Sequence, residues 1–202
     1  LSYTSVENAR ANLTAEAEKM TFDKVREQSH KTWNDYLGRI EVETSKNDDK
    51  VKFYTGLYHA LLGRGLASDV NGAYPRNDGT VGQLPMKDGK PLYNVYNTDA
   101  AWGAQWNLSQ LWILAYPEYM SQYVSTHLQE YKDTGWLADG LANNRYVSGV
   151  GTNLLSTIIA AAYECGIRDF DTKLAYEACL KNELGGENRP LGAGKATTAD
   201  FL

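Results

Sequence analysis

Apolar residues recur three or four positions apart along much of the chain, and this spacing predicts a largely helical protein. The clearest case is residues 48–62, where apolar and aromatic side chains fall on one helical face. Similar spacing, capping residues and prolines predict further helices over residues 6–20, 22–37, 99–116, 117–134, 153–165 and 172–184. Outside the turn-rich segment 68–97, strand-like stretches occur only at residues 1–4 and 40–44, so the predicted strand content is too low for an α/β fold.

The first two helices are predicted from their capping residues more than from an apolar face. Thr4 and Glu7 have the spacing of a capping box, Thr21 is placed to cap the second helix, and Gly38 is placed to end it. Both helices are largely polar with thin apolar stripes, which is typical of helices that cross a surface or link domains.

Residues 68–97 carry turn chemistry and no helical pattern. This segment contains one Asn-Gly pair, two Asp-Gly pairs and three prolines. The pair Asp88-Gly89 stands between two short apolar stretches and predicts a small hairpin. Long loops between helices are often functional, and this one leads directly to Asp99.

Residues 153–165 are apolar on nearly all sides, which predicts a helix enclosed by others. The remaining helices are amphipathic and are joined by long loops, including a Gly- and Asn-rich loop over residues 135–150. This mixture indicates a helical toroid in which outer helices surround inner ones. The expected fold class is therefore all-α.

Charge and composition exclude several functions. The net charge is −5 and the Lys and Arg residues do not cluster, so a nucleic-acid partner is not expected. No apolar run reaches the roughly 18 residues that a membrane span needs. Cys165 and Cys179 lie on separate predicted helices and are expected to be free and buried, with a disulfide as the alternative.

Motifs for other chemistries are incomplete. The Gly149–Asn153 stretch does not complete a dinucleotide-binding fingerprint, and Gly194-Lys195 lacks the rest of a P-loop. The three histidines are far apart, so zinc is not expected, and His59 and His127 are both assigned hydrogen-bonded structural roles. Asp69 begins a stretch that looks faintly like a calcium loop, but the distal Glu is absent and a turn is the better interpretation.

The most informative residues are Asp99, Trp102 and Trp106, at positions i, i+3 and i+7 of a predicted helix, where they would share one face. A carboxylate accepts hydrogen bonds from sugar hydroxyls, and an indole packs on the apolar C–H face of a sugar ring. An alternative stays open: Thr98 caps the helix, Asp99 is an ordinary first-turn acid, and both tryptophans belong to the core.

Several stretches together resemble the family 92 glycoside hydrolases, the calcium-dependent exo-α-mannosidases. They are Ser5-Val-Glu-Asn-Ala-Arg-Ala-Asn-Leu13, Lys52-Phe-Tyr-Thr-Gly-Leu-Tyr-His-Ala-Leu61, Ser68-Asp-Val-Asn-Gly-Ala-Tyr74, and Gly166-Ile-Arg-Asp-Phe-Asp171 with Ala175-Tyr-Glu177. The resemblance implies a tail of a preceding β-sandwich over residues 1–4, a helical linker over 5–45, and the first half of an (α/α)6 catalytic barrel over 46–202. The small hairpin would then lie in a long loop of that partial toroid.

Within the resemblance, Asp99 matches the aspartate of the family's Trp-Asp-Thr motif, which contacts the sugar in the −1 subsite. Its neighbours differ from the motif, because Thr98 stands in place of Trp, Ala100 of Thr, Trp102 of Arg and Gln105 of His. The family's catalytic acid, catalytic base and calcium ligands would lie outside this chain, so no catalytic or metal-binding residue is assigned here.

The resulting hypothesis is a segment of a secreted bacterial enzyme that inverts configuration and releases terminal mannose from α-mannosides or N-glycans. The segment would bind sugar through Asp99, Trp102, Gln105 and Trp106, would be inactive alone, and would pack against the remainder of its own polypeptide. Calcium is expected for the whole enzyme. The resemblance to the family implies a periplasmic or extracellular location. The chain itself shows no signal peptide. The alternatives are a non-catalytic helical carbohydrate-binding or scaffold module and another (α/α)6 enzyme.

Overall fold

The computed structural model describes residues 1–62, 65–142, 145–147 and 154–185, and at residues 99 and 145–147 it describes the backbone alone. Within these ranges the protein is mostly helical, as predicted. The helices are α1 (Val6–Glu16), α2 (Phe22–Leu37), α3 (Asn47–Leu61), α4 (Ala101–Gln105), α5 (Leu108–Ala115), α6 (Pro117–Thr134), α7 (Leu154–Glu164) and α8 (Thr172–Leu184).

Short strands form three small antiparallel sheets between the helices. The strands are β1 (Ala73–Pro75), β2 (Val81–Gln83), β3 (Met86–Lys87), β4 (Lys90–Pro91), β5 (Asp99–Ala100), β6 (Gly140–Ala142) and β7 (Arg145–Val147). β1 pairs with β2, β3 pairs with β4, and β6 lies between β5 and β7. The sheet of β5, β6 and β7 joins parts of the chain that are distant in sequence.

The predicted hairpin at Asp88-Gly89 is confirmed. Asp88 has φ 50° and Gly89 has φ 77°, and these two positive values are the geometry of a type I′ turn. The strands it joins, β3 and β4, are shorter and closer to the turn than the apolar stretches suggested. A second Asp-Gly pair, Asp78-Gly79, lies in the connection between β1 and β2.

Local capping signals place most helix ends correctly. Thr21 caps α2 and accepts a hydrogen bond from the Lys24 amide at 3.4 Å. Asp171 caps α8 in the same way, through the Leu174 amide at 3.0 Å. The first cap was predicted one residue early, because Ser5 rather than Thr4 caps α1.

Helix α6 is the most enclosed helix of the described structure. Pro117 starts it, Gly135 ends it with φ 80° in the left-handed region, and α5, α7 and α8 pack against it. Its Met120, Tyr123 and Val124 side chains are fully buried. The prediction that residues 153–165 form the enclosed helix is therefore wrong for the described residues. Helix α7 buries one face, while its other face and α8 line an open cavity of about 550 Å³.

Three further expectations are corrected. Residues 1–4 and 40–44 form no strand. The first residues run alongside the 66–70 segment, where Asp69 accepts hydrogen bonds from the Ser2 and Thr4 hydroxyls. Residues 135–150 were expected to form a loop, but the described part includes β6 and β7.

The described helices include none that is long and apolar enough to cross a bilayer. Both cysteines are free, as expected, but Cys165 is exposed and Cys179 is only partly buried. The expectation of a buried pair is therefore wrong.

Candidate functional site

Asp99 begins a strand and does not lie in the first turn of a helix. Asp99 pairs with Leu141, and Ala100 pairs with Gly140, in antiparallel register. Helix α4 starts only at Ala101. The predicted helix over residues 99–116 is thus replaced by β5, α4 and α5, and Asp99 does not share a helical face with the tryptophans.

Thr98 explains why the helix starts late. It is fully buried, its amide donates to the Leu141 carbonyl at 3.2 Å, and its hydroxyl accepts from the Leu141 amide at 3.0 Å. Thr98 therefore anchors the sheet and does not cap a helix. The first residue of α4 is also hydrogen-bonded to the segment that enters β6, since the Ala101 amide donates to the Asp139 carbonyl at 2.6 Å.

The predicted helix is also broken at its middle. Helix α4 ends at Gln105, and α5 begins at Leu108 after Asn107, whose φ is −158°. The Gln110 side chain donates to the Gln105 carbonyl at 3.1 Å, so a side chain satisfies a carbonyl that the helix itself leaves open.

Trp102 lies on α4, and Trp106, one helical turn later, is the C-cap residue of that helix. Their exposed fractions are 48% and 77%. The alternative that they are core residues is therefore wrong in the described structure. An indole left exposed presents a flat apolar surface with one N–H donor, which suits the C–H face and hydroxyls of a sugar.

Gln105 lies between the two indoles in sequence and is partly buried. Its amide oxygen is inaccessible to solvent and has no hydrogen-bond partner among the described residues. A buried amide oxygen without a donor costs free energy, so this atom is a candidate acceptor for a ligand or a neighbouring segment.

The structure thus brings Trp102 and Gln105 onto α4 and places Trp106 at its C-cap. It holds the backbone of Asp99 two residues before α4, in the strand next to β6. The Asp99 side chain lies outside what the structure describes. Its assignment as a sugar contact stays a prediction, as do those of Gln105 and the two tryptophans.

A buried polar network between β1 and α6 was not predicted. The Tyr74 hydroxyl donates to Asp133 at 2.9 and 3.1 Å, and Gln129 donates to that hydroxyl at 2.6 Å. Arg76 lies 3.5 Å from Asp133, and the Tyr93 hydroxyl donates to Gln129 at 2.7 Å. These residues come from distant positions, and the only sequence signal was the i, i+4 spacing of Gln129 and Asp133.

The network shifts the pKa values of its members. Burial, opposed by the hydrogen bond with Arg76 and reinforced by the Asp133 charge, raises the pKa of Tyr74 to about 12. Burial also raises the pKa of Asp133, against the hydrogen bond from Tyr74 and the charge of Arg76. The Tyr74 hydroxyl therefore stays protonated at neutral pH and can donate its hydrogen bond to Asp133.

Two further titratable residues of α6 are buried. Burial and the neighbouring Asp133 raise the pKa of Glu130 to about 8, while burial alone lowers the pKa of His127 to about 3. The expected hydrogen-bonded role of His127 is wrong for the described structure, since neither ring nitrogen has a partner there. Its ring instead packs edge-on against Tyr123, with centroids 4.8 Å apart.

No group of three metal-ligating side chains occurs in the part of the chain that the structure describes. The Asp69 carboxylate accepts hydrogen bonds from neutral donors only among the described residues. Besides the Ser2 and Thr4 hydroxyls, the Asn12 side chain donates to it at 2.7 Å. The predicted turn is present after it, with the Ala73 amide donating to the Asn71 side chain at 3.1 Å.

Comparison with known families agrees with this arrangement of helices. The family model described as the glycosyl hydrolase family 92 catalytic domain matches residues 8–200. The chain belongs to glycosyl hydrolase family 92. No match to it is found among curated proteins.

Solved structures of family 92 enzymes share this fold. The α-mannosidase BT3965 from Bacteroides thetaiotaomicron is 22% identical over 88% of this chain and 23% of its own, with a TM-score of 0.77. The inverting mannosidase BT2199 from Bacteroides thetaiotaomicron VPI-5482 is 24% identical over 88% of this chain and 23% of its own, with a TM-score of 0.74. The family 92 glycosyl hydrolase ccman5 is 23% identical over 92% of this chain and 25% of its own, with a TM-score of 0.69.

The chain therefore spans about a quarter of the length of these family 92 structures. At these identities the likeness concerns the fold. It confirms the expectation of a partial helical barrel, and the placement of the linker and barrel boundaries stays a prediction.

Proposed function

We propose that this chain is part of an exo-acting α-mannosidase that hydrolyses α-mannosides or N-glycans with inversion, and that it supplies sugar-binding residues. The observation that carries the proposal is the pair of exposed indoles, Trp102 on α4 and Trp106 at its C-cap, shortly after the strand of Asp99. Family membership and the mannosidase names of the structural relatives support the substrate class.

Each residue has a distinct task in this proposal. The Asp99 carboxylate accepts hydrogen bonds from sugar hydroxyls. The indoles of Trp102 and Trp106 pack against the C–H faces of the ring, and the side-chain amide of Gln105 forms one further hydrogen bond to the sugar. Sugar-binding groups of this kind orient the scissile bond and exclude water from one side of it.

The hydrolytic step requires groups from elsewhere in the polypeptide. An inverting glycosidase uses two carboxylates about 6.5–9.5 Å apart, one as general acid and one to activate a water molecule. The proposal places both outside this chain. In the same proposal the enzyme is secreted, and calcium would be held outside this chain, where it would coordinate oxygen ligands.

The test uses the full-length protein that contains this chain and nitrophenyl glycosides of several sugars. Hydrolysis of the α-mannoside, and its loss with a chelator and return with calcium, are the expected results. Asp99→Asn should lower kcat/KM, while the control Asp88→Asn should not, since Asn tolerates the left-handed turn position of Asp88.

Two outcomes would overturn the proposal. Wild-type kcat/KM in Asp99→Asn would remove Asp99 from the sugar site. Mannoside binding by the full-length protein without hydrolysis of any glycoside would instead support the non-catalytic carbohydrate-binding module.

A further inference from the structure

Helix α6 carries polar side chains on the face that meets the segment before Asp99. Gln122 and Thr126 stand about one helical turn apart on this face, and Thr126 is fully buried. A buried hydroxyl is expected to take part in hydrogen bonds. The partners of both side chains lie in the backbone of residues 94–98, directly before Asp99.

Successive amides of residues 94–98 donate alternately to two different sides of the segment, as in an extended chain. On one side, the Val95 amide donates to the Ser68 hydroxyl at 3.1 Å, and the Asn97 amide donates to the Gly65 carbonyl at 3.0 Å. Both acceptors lie where the chain enters the turn-rich segment. These bonds therefore join the two ends of one loop to each other.

The other side of the segment is hydrogen-bonded to α6. The Asn94 amide donates to the Gln122 side-chain oxygen at 2.6 Å, and the Tyr96 amide donates to the Thr126 hydroxyl at 3.2 Å. The Thr126 hydroxyl can donate its own proton to the Gln122 carbonyl at 2.9 Å or to the Asn94 carbonyl at 3.3 Å. Because the backbone groups of a helix bond one another, it is side chains of α6 that accept from the segment.

The third amide on this side is that of Thr98, which donates to the Leu141 carbonyl of β6. Thr98 alone would attach this side of the segment at one point, and a single point leaves the direction of the chain free to change. Gln122 and Thr126 add two further points on a packed helix. Together the three contacts fix the direction in which the chain enters Asp99.

Other contacts join the same loop to α6 only through side chains of the loop. The Tyr93 hydroxyl donates to Gln129, and the Tyr74 hydroxyl bonds both Gln129 and Asp133. A long tyrosine side chain leaves the backbone that carries it room to shift. The contacts of Gln122 and Thr126 differ because they hold the backbone itself.

We propose that Gln122 and Thr126 are positioning residues: their side chains hold the backbone of residues 94–96 against α6 and thereby fix where Asp99 lies relative to the sugar. The inference rests on the proposed sugar-binding role of Asp99. It gives α6, which carries none of the proposed sugar contacts, a part in the geometry of that site.

The test measures kcat/KM for an α-mannoside in the full-length protein. Thr126→Val keeps the shape of the side chain and removes its hydroxyl, so kcat/KM should fall about two- to twelvefold, the factor that corresponds to one hydrogen bond. Thr126→Ser keeps the hydroxyl and should retain most of the wild-type value. Gln122→Met removes the other acceptor and should behave as Thr126→Val does.

Ser121→Ala is the matched control on the same helix. The Ser121 hydroxyl is also buried, and it donates to the Asp169 carbonyl at 2.9 Å, away from residues 94–98. This variant loses a hydrogen bond of the same kind and should keep wild-type kcat/KM. An equal fall in Ser121→Ala and Thr126→Val would overturn the inference, because loosening of α6 in general would then explain both.

A double variant separates positioning from a structural role. If Thr126 acts through Asp99, Thr126→Val should lower kcat/KM far less in the Asp99→Asn background than in wild type. Equal factors in the two backgrounds would show that Thr126 acts independently of Asp99 and would overturn the inference.

A readout independent of activity distinguishes failure of this inference from failure of the proposed function. Amide hydrogen exchange of the peptide containing residues 94–99 should be faster in Thr126→Val and Gln122→Met than in wild type and Ser121→Ala. Unchanged exchange in both variants would overturn the inference whatever the kinetics show. Faster exchange together with wild-type kcat/KM in Asp99→Asn would instead overturn the sugar-binding role of Asp99, while the hold of α6 on the segment would stand.

Discussion

Two hydrogen bonds join Thr98 and Leu141. The Thr98 amide donates to the Leu141 carbonyl, and the Leu141 amide donates to the Thr98 hydroxyl. Both residues are buried. This pair ties the end of the turn-rich loop to β6, and the strand that begins at Asp99 continues directly from it.

The first prediction concerns this pair. Thr98→Val keeps the side-chain shape but removes the hydroxyl that accepts a hydrogen bond from the Leu141 amide at 3.0 Å. We expect the free energy of unfolding to fall by about 0.5–1.5 kcal/mol, the net contribution of one hydrogen bond. Urea unfolding of the full-length protein measures the effect.

Thr98→Ser is the matched control, since it keeps the hydroxyl and removes only a methyl group. It should recover most of the free energy that Thr98→Val loses. Equal losses in the two variants would show that packing of the methyl group, and not the hydrogen bond, makes Thr98 important.

Elements with local signals were predictable from the sequence. Helix α6 starts at the expected Pro117 and ends at Gly135, and the type I′ turn at Asp88-Gly89 forms where the pair predicts it. In each case the backbone conformational preference of one or two residues determines where the element begins, turns or ends. Sequence alone therefore sufficed.

Elements that depend on distant partners were not predictable. Residues 99–105 have a helical sequence, yet Asp99 and Ala100 are drawn into a strand because Leu141 and Gly140 supply hydrogen bonds from far along the chain. Tertiary pairing overrides a weak local preference here. The Tyr74–Asp133 contact was missed for the same reason.

The second prediction concerns the indoles. Trp106 is 77% exposed, so Trp106→Ala should change the free energy of unfolding by less than about 0.5 kcal/mol. Loss of an aromatic packing contact of about 0.5–1.5 kcal/mol should weaken mannoside binding by roughly two- to twelvefold. Calorimetric titration of the full-length protein measures the affinity.

Leu114→Ala is the control for this variant, because Leu114 is an equally exposed apolar residue on α5, at 84%. It should leave affinity unchanged. A similar loss in both variants would point to general surface effects and would remove Trp106 from the sugar site.

The third prediction concerns the attachment of α1. The buried Asp69 carboxylate accepts hydrogen bonds from Ser2, Thr4 and Asn12. Asp69→Asn replaces one acceptor oxygen by a donor that faces other donors, so α1 should detach locally. Limited proteolysis should then cut the connection at residues 17–21 several times faster. The exposed control Asp48→Asn should be cut at the wild-type rate, and equal rates in all three proteins would contradict this role.

The fourth prediction concerns His127. Burial lowers its pKa from 6.5 to about 3, so between these values the unfolded chain binds a proton that the folded protein does not. The folded state therefore loses stability as pH falls from 6.5 towards 3. His127→Phe keeps an aromatic ring against Tyr123 without a titratable group, and its free energy of unfolding should depend less on pH in this range. Urea unfolding at several pH values measures this, with the exposed His30→Phe as control. An unchanged pH dependence in His127→Phe would show that His127 is protonated in the folded protein, which requires a partner for its ring within the whole enzyme.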